Sequence, residues 1–277
     1  MQSRHWGRKG LSSKIGWVRD MALGIPLRLT LLGGFELRRG DQELALAASA
    51  QRLVALLALS SRPVGRPHVA GSLWPDYSTE RSLAGLRTAL WRVNQSCDQL
   101  IVATSSLLVL DPRVAVDVRA LVTFADQLGE PEASCPGPNL DSLNVTDLAC
   151  ELLPDWYDDW LLDEREGLRQ TRLHALERLA RGLSAAGRHA EAIQAALVAI
   201  RLEPLRETAH QTLIQVHLDE GNWSEACRQF QRCRRLLQEE LGIEPSESIR
   251  LLLESRPRER GFHLSRYALP QRVASIH

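Results

Sequence analysis

The sequence predicts an α+β N-terminal domain followed by an all-α domain built of helical repeats. Two patterns along the 277 residues support this prediction. Before residue 129, stretches with an apolar residue at every second position alternate with stretches of helical spacing. After residue 138 the spacing is helical, and one pattern recurs after 34 positions. The stretch 129–138, rich in proline, is predicted to be a linker between the two domains.

The N-terminal part shows strands, then three helices, then a hairpin. Leu27, Leu29 and Leu31 alternate with polar residues, and glycine turns follow them, which predicts short strands over 26–46. Helices are predicted at 49–60, 68–73 and about 80–97, a hairpin at 100–110 and a further strand at 114–118. This order predicts a winged helix-turn-helix domain with an extra N-terminal sheet over residues 24–128.

The C-terminal part contains an internal repeat. Gly187 and Gly221 each open a similar segment, and they lie 34 positions apart, which is the tetratricopeptide period. Ala192 and Ala226 occupy equivalent positions, where a small side chain lets two antiparallel helices approach closely. Residues 139–255 are therefore predicted to form an all-α tetratricopeptide-like helical-repeat domain.

The charge is balanced overall but unevenly distributed. The formal net charge is +0, so there is no global basic signal for nucleic acid. Basic residues exceed acidic ones over 52–113, whereas acidic residues predominate over 151–166. This asymmetry predicts two surfaces with different partners. The segments 1–23, which is basic, and 256–277, which is rich in arginine, are predicted to be disordered tails.

The cysteine content favours a cytoplasmic protein. There are five cysteines, an odd number, and no pair has the two-residue spacing of a zinc or redox motif. They are therefore expected to be reduced thiols. No stretch has the length of uninterrupted apolar residues that a membrane span needs, so no membrane partner is expected.

One helix carries the strongest functional signal. Its apolar stripe consists of Leu83, Leu86, Leu90 and Val93, at three- and four-residue intervals. The opposite face has no carboxylate between residues 81 and 96, which suits a polyanion. Arginine can bind guanine, glutamine can bind adenine, and threonine can contact a thymine methyl or a phosphate. The predicted DNA-binding residues are Arg66, Arg81, Arg87, Thr88, Trp91, Arg92, Gln95 and Arg113. The alternative is a solvated basic face with no ligand.

Two of these residues lie outside the helix. Arg66 belongs to the preceding helix, which is placed to cross the DNA backbone, and Arg113 follows the hairpin, whose wing would bring it near phosphates or the minor groove. Trp91 has two interpretations: it packs against the wing or the first helix, or it contacts the sugar-phosphate backbone.

Four aromatic residues outside this helix are predicted to pack against other parts of the protein. Trp74, before Pro75, is expected to be a core residue or a loop anchor. Trp156, Tyr157 and Trp160 are predicted to form a domain interface, an aromatic cluster that joins the two domains. The alternative for the same cluster is a protein-interaction hot spot, rimmed by acidic residues.

Motifs of enzymatic and metal sites do not occur in the sequence. There is no His-Glu-x-x-His pattern, no phosphate-binding loop and no Gly-x-Ser-x-Gly elbow. Asp158 and Asp159 are adjacent and would point apart on a helix, which does not suit acid–base catalysis. No enzymatic activity, cofactor or metal is therefore expected.

Four segments in this order resemble the Streptomyces antibiotic regulatory protein (SARP) family. They are "LRLTLLGGFELRRG", "SLAGLRTALWRVNQ", "LLPDWYDDW" and the repeat segment that ends in "RRLLQEELGIEPS", and the resemblance covers about residues 26–255. It implies a response-regulator-type winged helix joined to a bacterial transcriptional activation domain. It also implies a transcriptional activator without enzymatic activity.

The resemblance further implies partners and surfaces. The helix with Arg87, Thr88, Trp91 and Arg92 would read the major groove of double-stranded DNA at direct repeats near promoters. The loop between the two helices of the helix-turn-helix would face RNA polymerase, through Trp74, Asp76, Tyr77 and Glu80. The segment Asn94–Ser96 lacks the basic residue usual at the end of this helix. Modest affinity is therefore expected, with two protomers side by side as a homodimer on DNA. A protein-interaction adaptor that does not bind DNA and a ligand-binding sensor are the alternatives.

Overall fold

A computed structural model describes residues 27–128 and 148–254. The predicted tails and the predicted linker lie outside these residues. The chain divides into two compact units, with the break after Leu179, inside a long helix. Unit 1 thus contains 27–128 and 148–179, and unit 2 contains 180–254. The predicted domain boundaries at 128 and 139 remain predictions.

The strands of unit 1 form two small sheets. Strands β1 (Leu27–Thr30), β2 (Glu36–Arg39) and β3 (Gln42–Glu43) are antiparallel neighbours, and β7 (Ala115–Val116) pairs with β1 in parallel. The second sheet is the wing, in which β6 (Leu107–Leu110) lies between β4 (Val64–Gly65) and β5 (Ile101–Ala103). Leu29 and Leu37 are register partners, and both are buried, which fixes the inner face of the first sheet.

Three helices follow β3 and precede the β5–β6 hairpin, as the sequence predicted, and the short strand β4 lies between the first and the second of them. They are α1 (Ala48–Leu59), α2 (Arg66–Leu73) and α3 (Thr79–Ser96). The core of this unit includes Leu53 and Leu57 from α1, Leu73 from α2 and Leu86 from α3, all almost fully buried. The predicted winged helix-turn-helix is confirmed, with α2 and α3 as its two packed helices.

The segment after the wing differs from the prediction of a strand over 114–118. Only Ala115–Val116 is a strand, and α4 (Asp117–Gln127) begins directly after it. The Asp117 carboxylate accepts hydrogen bonds from the backbone N–H groups of Leu31 (2.8 Å), Leu32 (2.9 Å) and Val118 (2.7 Å). Because it satisfies an N–H group at the start of α4, this carboxylate ends the strand and ties the new helix to β1.

Residues 148–160 pack on the first sheet. Leu152 and Leu32 form an isolated antiparallel bridge, and the N–H of Leu153 donates to the carbonyl of Leu31 at 2.9 Å. Helix α5 (Trp160–Ala185) follows, and its Arg165 donates to the carbonyls of Leu152 (2.9 Å), Leu153 and Trp156 (2.8 Å). One guanidinium therefore fixes the course of the segment that precedes its own helix.

Unit 2 contains the predicted repeat. Its helices after α5 are α6 (His189–Leu202), α7 (Glu207–Asp219), α8 (Trp223–Leu241) and α9 (Glu247–Glu254), and α7 packs against both α6 and α8. Gly187 and Gly221 have φ values of 74° and 86°, a left-handed conformation that glycine adopts without steric cost. Ala192 and Ala226 are completely buried. The tetratricopeptide-like packing that the 34-residue period predicts is confirmed.

Candidate nucleic-acid interface

Helix α3 has one buried face and one exposed face. Its buried residues are Ser82, Leu86, Ala89 and Val93, and the predicted stripe residues Leu83 and Leu90 are half-buried. All six predicted DNA-binding residues of this helix are exposed: Arg81, Arg87, Thr88, Trp91, Arg92 and Gln95. The helix begins at Thr79, so Glu80 lies in its first turn and is exposed too. The carboxylate-free face therefore begins at Arg81.

The three arginines of this face keep their positive charge available. Arg92 donates from Nη1 to the hydroxyl of Ser49 at 2.9 Å, which orients the guanidinium without neutralising it. Arg81 lies over the ring of Tyr77, 5.3 Å from the ring centroid. Among the residues that the structure describes, Arg87 has no hydrogen-bond or ion-pair partner. The face thus presents cations with no carboxylate paired to them.

The structure places Arg66 at the start of α2, beside the wing, and Arg113 in the turn between β6 and β7. Arg66 donates from Nε (3.0 Å) and Nη2 (2.8 Å) to the carbonyl of Thr104, near the tip of the β5–β6 hairpin. Arg113 forms a two-pronged ion pair with Asp111, Nε to Oδ1 at 3.0 Å and Nη2 to Oδ2 at 2.7 Å. Hydrogen bonding from the Arg113 side chain holds the pKa of Asp111 below its usual range. Arg66 therefore stabilises a loop of the wing, Arg113 stabilises the turn after it, and the charge of Arg113 is neutralised locally.

Trp91 is 61% exposed. Most of its surface is therefore outside the core, which favours the second of its two interpretations, a contact with DNA. A large indole in water at the centre of a basic face is available for a partner.

Trp74 anchors the loop between α2 and α3. Its ring is half-buried and lies against Gly85 of α3, so that a Cβ atom placed at Gly85 would be 3.1 Å from Trp74 Cε2. The loop-anchor interpretation of Trp74 is thereby confirmed. The remaining residues of the predicted polymerase-facing loop are exposed: Asp76, Tyr77 and Glu80.

The three aromatic residues predicted to form a domain interface have different environments. Trp156 stacks on Phe35 beside the first sheet, with ring centroids 6.0 Å apart and an interplanar angle of 14°. Trp160 is half-buried, at the start of α5. Tyr157 is 91% exposed, so the packing interpretation does not extend to it. For Tyr157 the alternative, a contact with another protein, remains.

A cleft joins the helix-turn-helix loop to the acidic motif of residues 155–159. Its volume is about 320 Å³, and it is lined by Arg52, Ser72, Leu73, Trp74, Pro75, Asp76, Tyr77, Tyr157, Asp158 and Asp159. Arg52 of α1 connects two sides of the cleft, because its Nη2 donates both to the Asp158 carboxylate and to the Leu73 carbonyl (2.9 Å). Asp158 and Asp159 precede α5 and line the same cleft. The sequence-based expectation that they point apart on a helix was wrong.

Sequence reasoning did not find Arg52 or this cleft. The two ion-pair partners are 106 positions apart, and neither lies in a motif that predicts the other. Only the acidic run beside three aromatic residues signalled a surface there.

The described part of the chain offers neither a metal site nor a membrane-spanning helix. Within 27–128 and 148–254, no group of three or more His, Cys, Asp or Glu residues could hold a metal ion. No helix in those ranges is both long and apolar enough to cross a bilayer.

A winged helix-turn-helix with an exposed cationic helix, followed by helical repeats, is an architecture of transcriptional regulators. Residues 141–255 match the family model of the bacterial transcriptional activator domain. The first part of this match, up to Leu179, belongs to unit 1.

Two curated relatives match most of the chain. The regulatory protein AfsR of Streptomyces griseus is 29% identical over 230 residues, which are 79% of this chain and 23% of the relative. AfsR of Streptomyces coelicolor is 28% identical over 248 residues, 82% of this chain and 24% of the relative. The chain therefore spans about a quarter of the length of these relatives.

A solved structure has the same fold. Mycobacterium tuberculosis EmbR, determined in complex with a low-affinity phosphopeptide, superposes with a TM-score of 0.64 at 18% identity. The superposition covers 83% of this chain and 64% of EmbR. Together these matches confirm the resemblance that the sequence motifs indicated. Residues 141–255 thus match a bacterial transcriptional activator domain, and about four fifths of the chain is similar to regulatory proteins of the Streptomyces antibiotic regulatory protein type.

Proposed function

We propose that the chain binds promoter DNA sequence-specifically through α3 and activates transcription by recruiting RNA polymerase. The observation that carries this proposal is the exposed face of α3, on which no carboxylate occurs from Arg81 onward. An exposed helix normally mixes both signs of charge, so three arginines without an acid favour a polyanionic partner. The leucines on the opposite face hold the helix to the core, which leaves this face free to enter a groove.

Phosphates supply affinity and base edges supply sequence choice. Arg81, Arg87 and Arg92 provide the charges, and Thr88 and Gln95 provide hydrogen-bonding groups between them. Three phosphate contacts per protomer are few. We therefore propose that two protomers bind adjacent direct repeats, about one helical turn of DNA apart.

Duplexes selected from a randomised library test the DNA-binding part. The parent protein should enrich a sequence, and Arg87→Ala and Arg92→Ala should each bind it more weakly. Arg235→Ala removes an exposed arginine from α8 in unit 2 and is the matched control. Equal binding by all four proteins would show that α3 is not the DNA-binding element.

The number of sites bound tests the tandem arrangement. On a duplex with two repeats the complex should contain two protomers, and on a single repeat it should be weaker. An equally tight complex with one protomer on a single repeat would contradict the pairing.

The proposed contact with RNA polymerase uses the loop between α2 and α3 and the cleft beside it. Asp76, Tyr77 and Glu80 are exposed there, and Tyr157, Asp158 and Asp159 extend the same acidic and aromatic surface. Exposed tyrosines beside charged groups are typical of protein interfaces. Arg52 is the one basic residue in the cleft lining, and it is already paired with Asp158. The surface therefore suits a basic segment of the partner.

Transcription in vitro separates this contact from DNA binding. Asp76→Ala and Tyr77→Ala should keep promoter affinity and lose activation, whereas the control Glu239→Ala, an exposed acid of α8, should keep both. Full activation by both loop variants would contradict the assignment. A protein-interaction adaptor, the alternative function, would show no salt-dependent DNA binding in any of these proteins.

A further inference from the structure

The position of Trp91 on α3 distinguishes it from the arginines around it. Each residue of an α-helix advances by about 100° around the axis. Measured from the direction opposite to the buried residues of α3, Trp91 lies within about 10° and Gln95 within about 30°. Arg87 and Thr88 lie about 50° to either side, and Arg92 lies about 90° away. Of the predicted DNA-binding residues of α3, Trp91 is therefore the one that points most directly away from the protein.

The residues beside Trp91 on this face also fit a helix inserted into the major groove. Thr88, Trp91, Arg92 and Gln95 have the spacing i, i+3, i+4 and i+7, the spacing with which a homeodomain helix contacts bases in the major groove. Arg92, at the margin, is held by its hydrogen bond to Ser49 of α1. Groups at the margin of an inserted helix meet phosphates, whereas groups at its centre meet base edges.

The chemistry of the indole side chain indicates which base Trp91 would contact. Trp91 carries no charge and offers a wide apolar surface with one N–H donor, and 61% of it is exposed. The apolar group that the major groove presents is the C5 methyl of thymine. We infer that Trp91 is a specificity-determining residue that covers a thymine methyl group in the bound DNA. This inference rests on the proposed function and adds the base that the centre of the face selects.

Replacement of thymine by uracil tests the inference, because it removes only the methyl group. The full chain first selects a duplex from a randomised library. That duplex is then synthesised with uracil at one thymine position at a time, and the affinities are measured. At the contacted position, uracil should weaken binding by the parent about fourfold, the effect of one methyl group removed from water.

Three variants test whether the preference for thymine depends on the side chain of Trp91. With Trp91→Ala the ratio of thymine to uracil affinity should fall to about one at that position. With Trp91→Phe, which keeps an aromatic ring but has no N–H, the preference for thymine should persist. With Arg92→Ala all duplexes should bind more weakly, but the thymine-to-uracil ratio should stay as in the parent. Since Trp91 and Arg92 are exposed, the fold should be retained, which thermal unfolding checks.

Four outcomes would contradict the inference or the proposed function. If the parent binds the selected duplex but no uracil substitution weakens binding, Trp91 reads no methyl and DNA binding itself stands. Retention of the parent's thymine dependence by Trp91→Ala also overturns the inference. Loss of the preference in Trp91→Phe, which keeps an apolar aromatic ring, would also overturn the inference. If no duplex is enriched at all, the proposed function fails, and the inference fails with it.

Discussion

The salt dependence of DNA binding gives a sharp contrast between two exposed arginines. Arg92 hydrogen-bonds to a neutral hydroxyl, so it retains its charge for a phosphate. Arg113 is also exposed, with 74% of its side chain accessible, but it is neutralised by Asp111. We therefore predict that Arg92→Ala flattens the salt dependence of binding and Arg113→Ala does not.

The magnitude follows from the number of available cations. Each neutralised phosphate contributes about −0.9 to the slope of log affinity against log salt, so the three arginines of α3 give about −2.7 per protomer. Affinity for one repeat should then fall about 40-fold between 50 and 200 mM salt. Arg92→Ala should reduce the slope to about −1.8 and the fall to about 12-fold, whereas Arg113→Ala should leave both at the parent values.

Fluorescence anisotropy with a labelled duplex measures these slopes directly. A single-repeat duplex is used, so that the number of protomers does not change between proteins. A slope as shallow for Arg113→Ala as for Arg92→Ala would contradict the predicted difference between the two arginines, because it would mean that the ion pair of Arg113 with Asp111 opens on DNA. Parent-like slopes for both variants would mean that α3 does not contact phosphates.

Three further predictions concern stability. Gly85→Val should be about 1–3 kcal/mol less stable than Gly71→Val, because its side chain would collide with Trp74 while the position of Gly71 is open. Asp117→Asn should cost about 1–3 kcal/mol, because an amide NH₂ would face backbone donors that now share a carboxylate. The stability of unit 2 should fall as the pH drops below about 6.5, because burial lowers the pKa of His210 and the unfolded chain then binds the additional proton.

Thermal unfolding checks all three predictions. Equal midpoints for the two glycine variants would mean that the Trp74 ring moves aside freely. Asp126→Asn, an exposed position near the end of the same helix, is the control for Asp117→Asn, and equal losses would contradict the capping role. For His210, the variant His210→Phe should show a smaller loss of stability on acidification, and an unchanged loss would assign it to other groups.

The geometry of His210 explains the sign of the pH effect. Its Nε2 lies 2.9 Å from the Pro204 carbonyl, which can only accept, so Nε2 carries the proton. Its Nδ1 then accepts from the Gln229 amide at 2.6 Å. The pair is buried between α7 and α8, and a second proton would displace the Gln229 donor. The neutral ring is therefore the form that the fold requires.

Local patterns in the sequence were sufficient where one element determines its own structure. The alternation of Leu27, Leu29 and Leu31 predicted the first strand, and the glycines 34 positions apart predicted the repeat turns. The strand predicted over 114–118 was too long, because Val114, Val116 and Val118 alternate. Helix α4 begins inside that run, where Asp117 accepts backbone donors from β1, some 85 positions earlier. The helical spacing of its own apolar residues was the signal that could have indicated it.

The candidate site was predicted only in part, for the same reason. The helical spacing of the apolar residues in α3 correctly predicted which face of the helix is exposed, because that pattern lies within a single helix. Helical periodicity could not show that Arg113 is neutralised by Asp111 two residues before it, because this pair forms in a local turn outside the helix. It also could not show that Arg52 brings Asp158 to the helix-turn-helix loop. Contacts of this kind depend on the assembled unit and leave no local pattern.

If the exposed face of α3 lies in the major groove, Trp91 lies at the C5 position of a thymine. A selected duplex with 5-iodouracil in place of one thymine carries a photoreactive atom where the methyl group would be. After irradiation and tryptic digestion, we expect the DNA to be cross-linked to the peptide Thr88–Arg92. Cross-links confined to the wing or to unit 2, with that peptide unmodified at every thymine position, would contradict it.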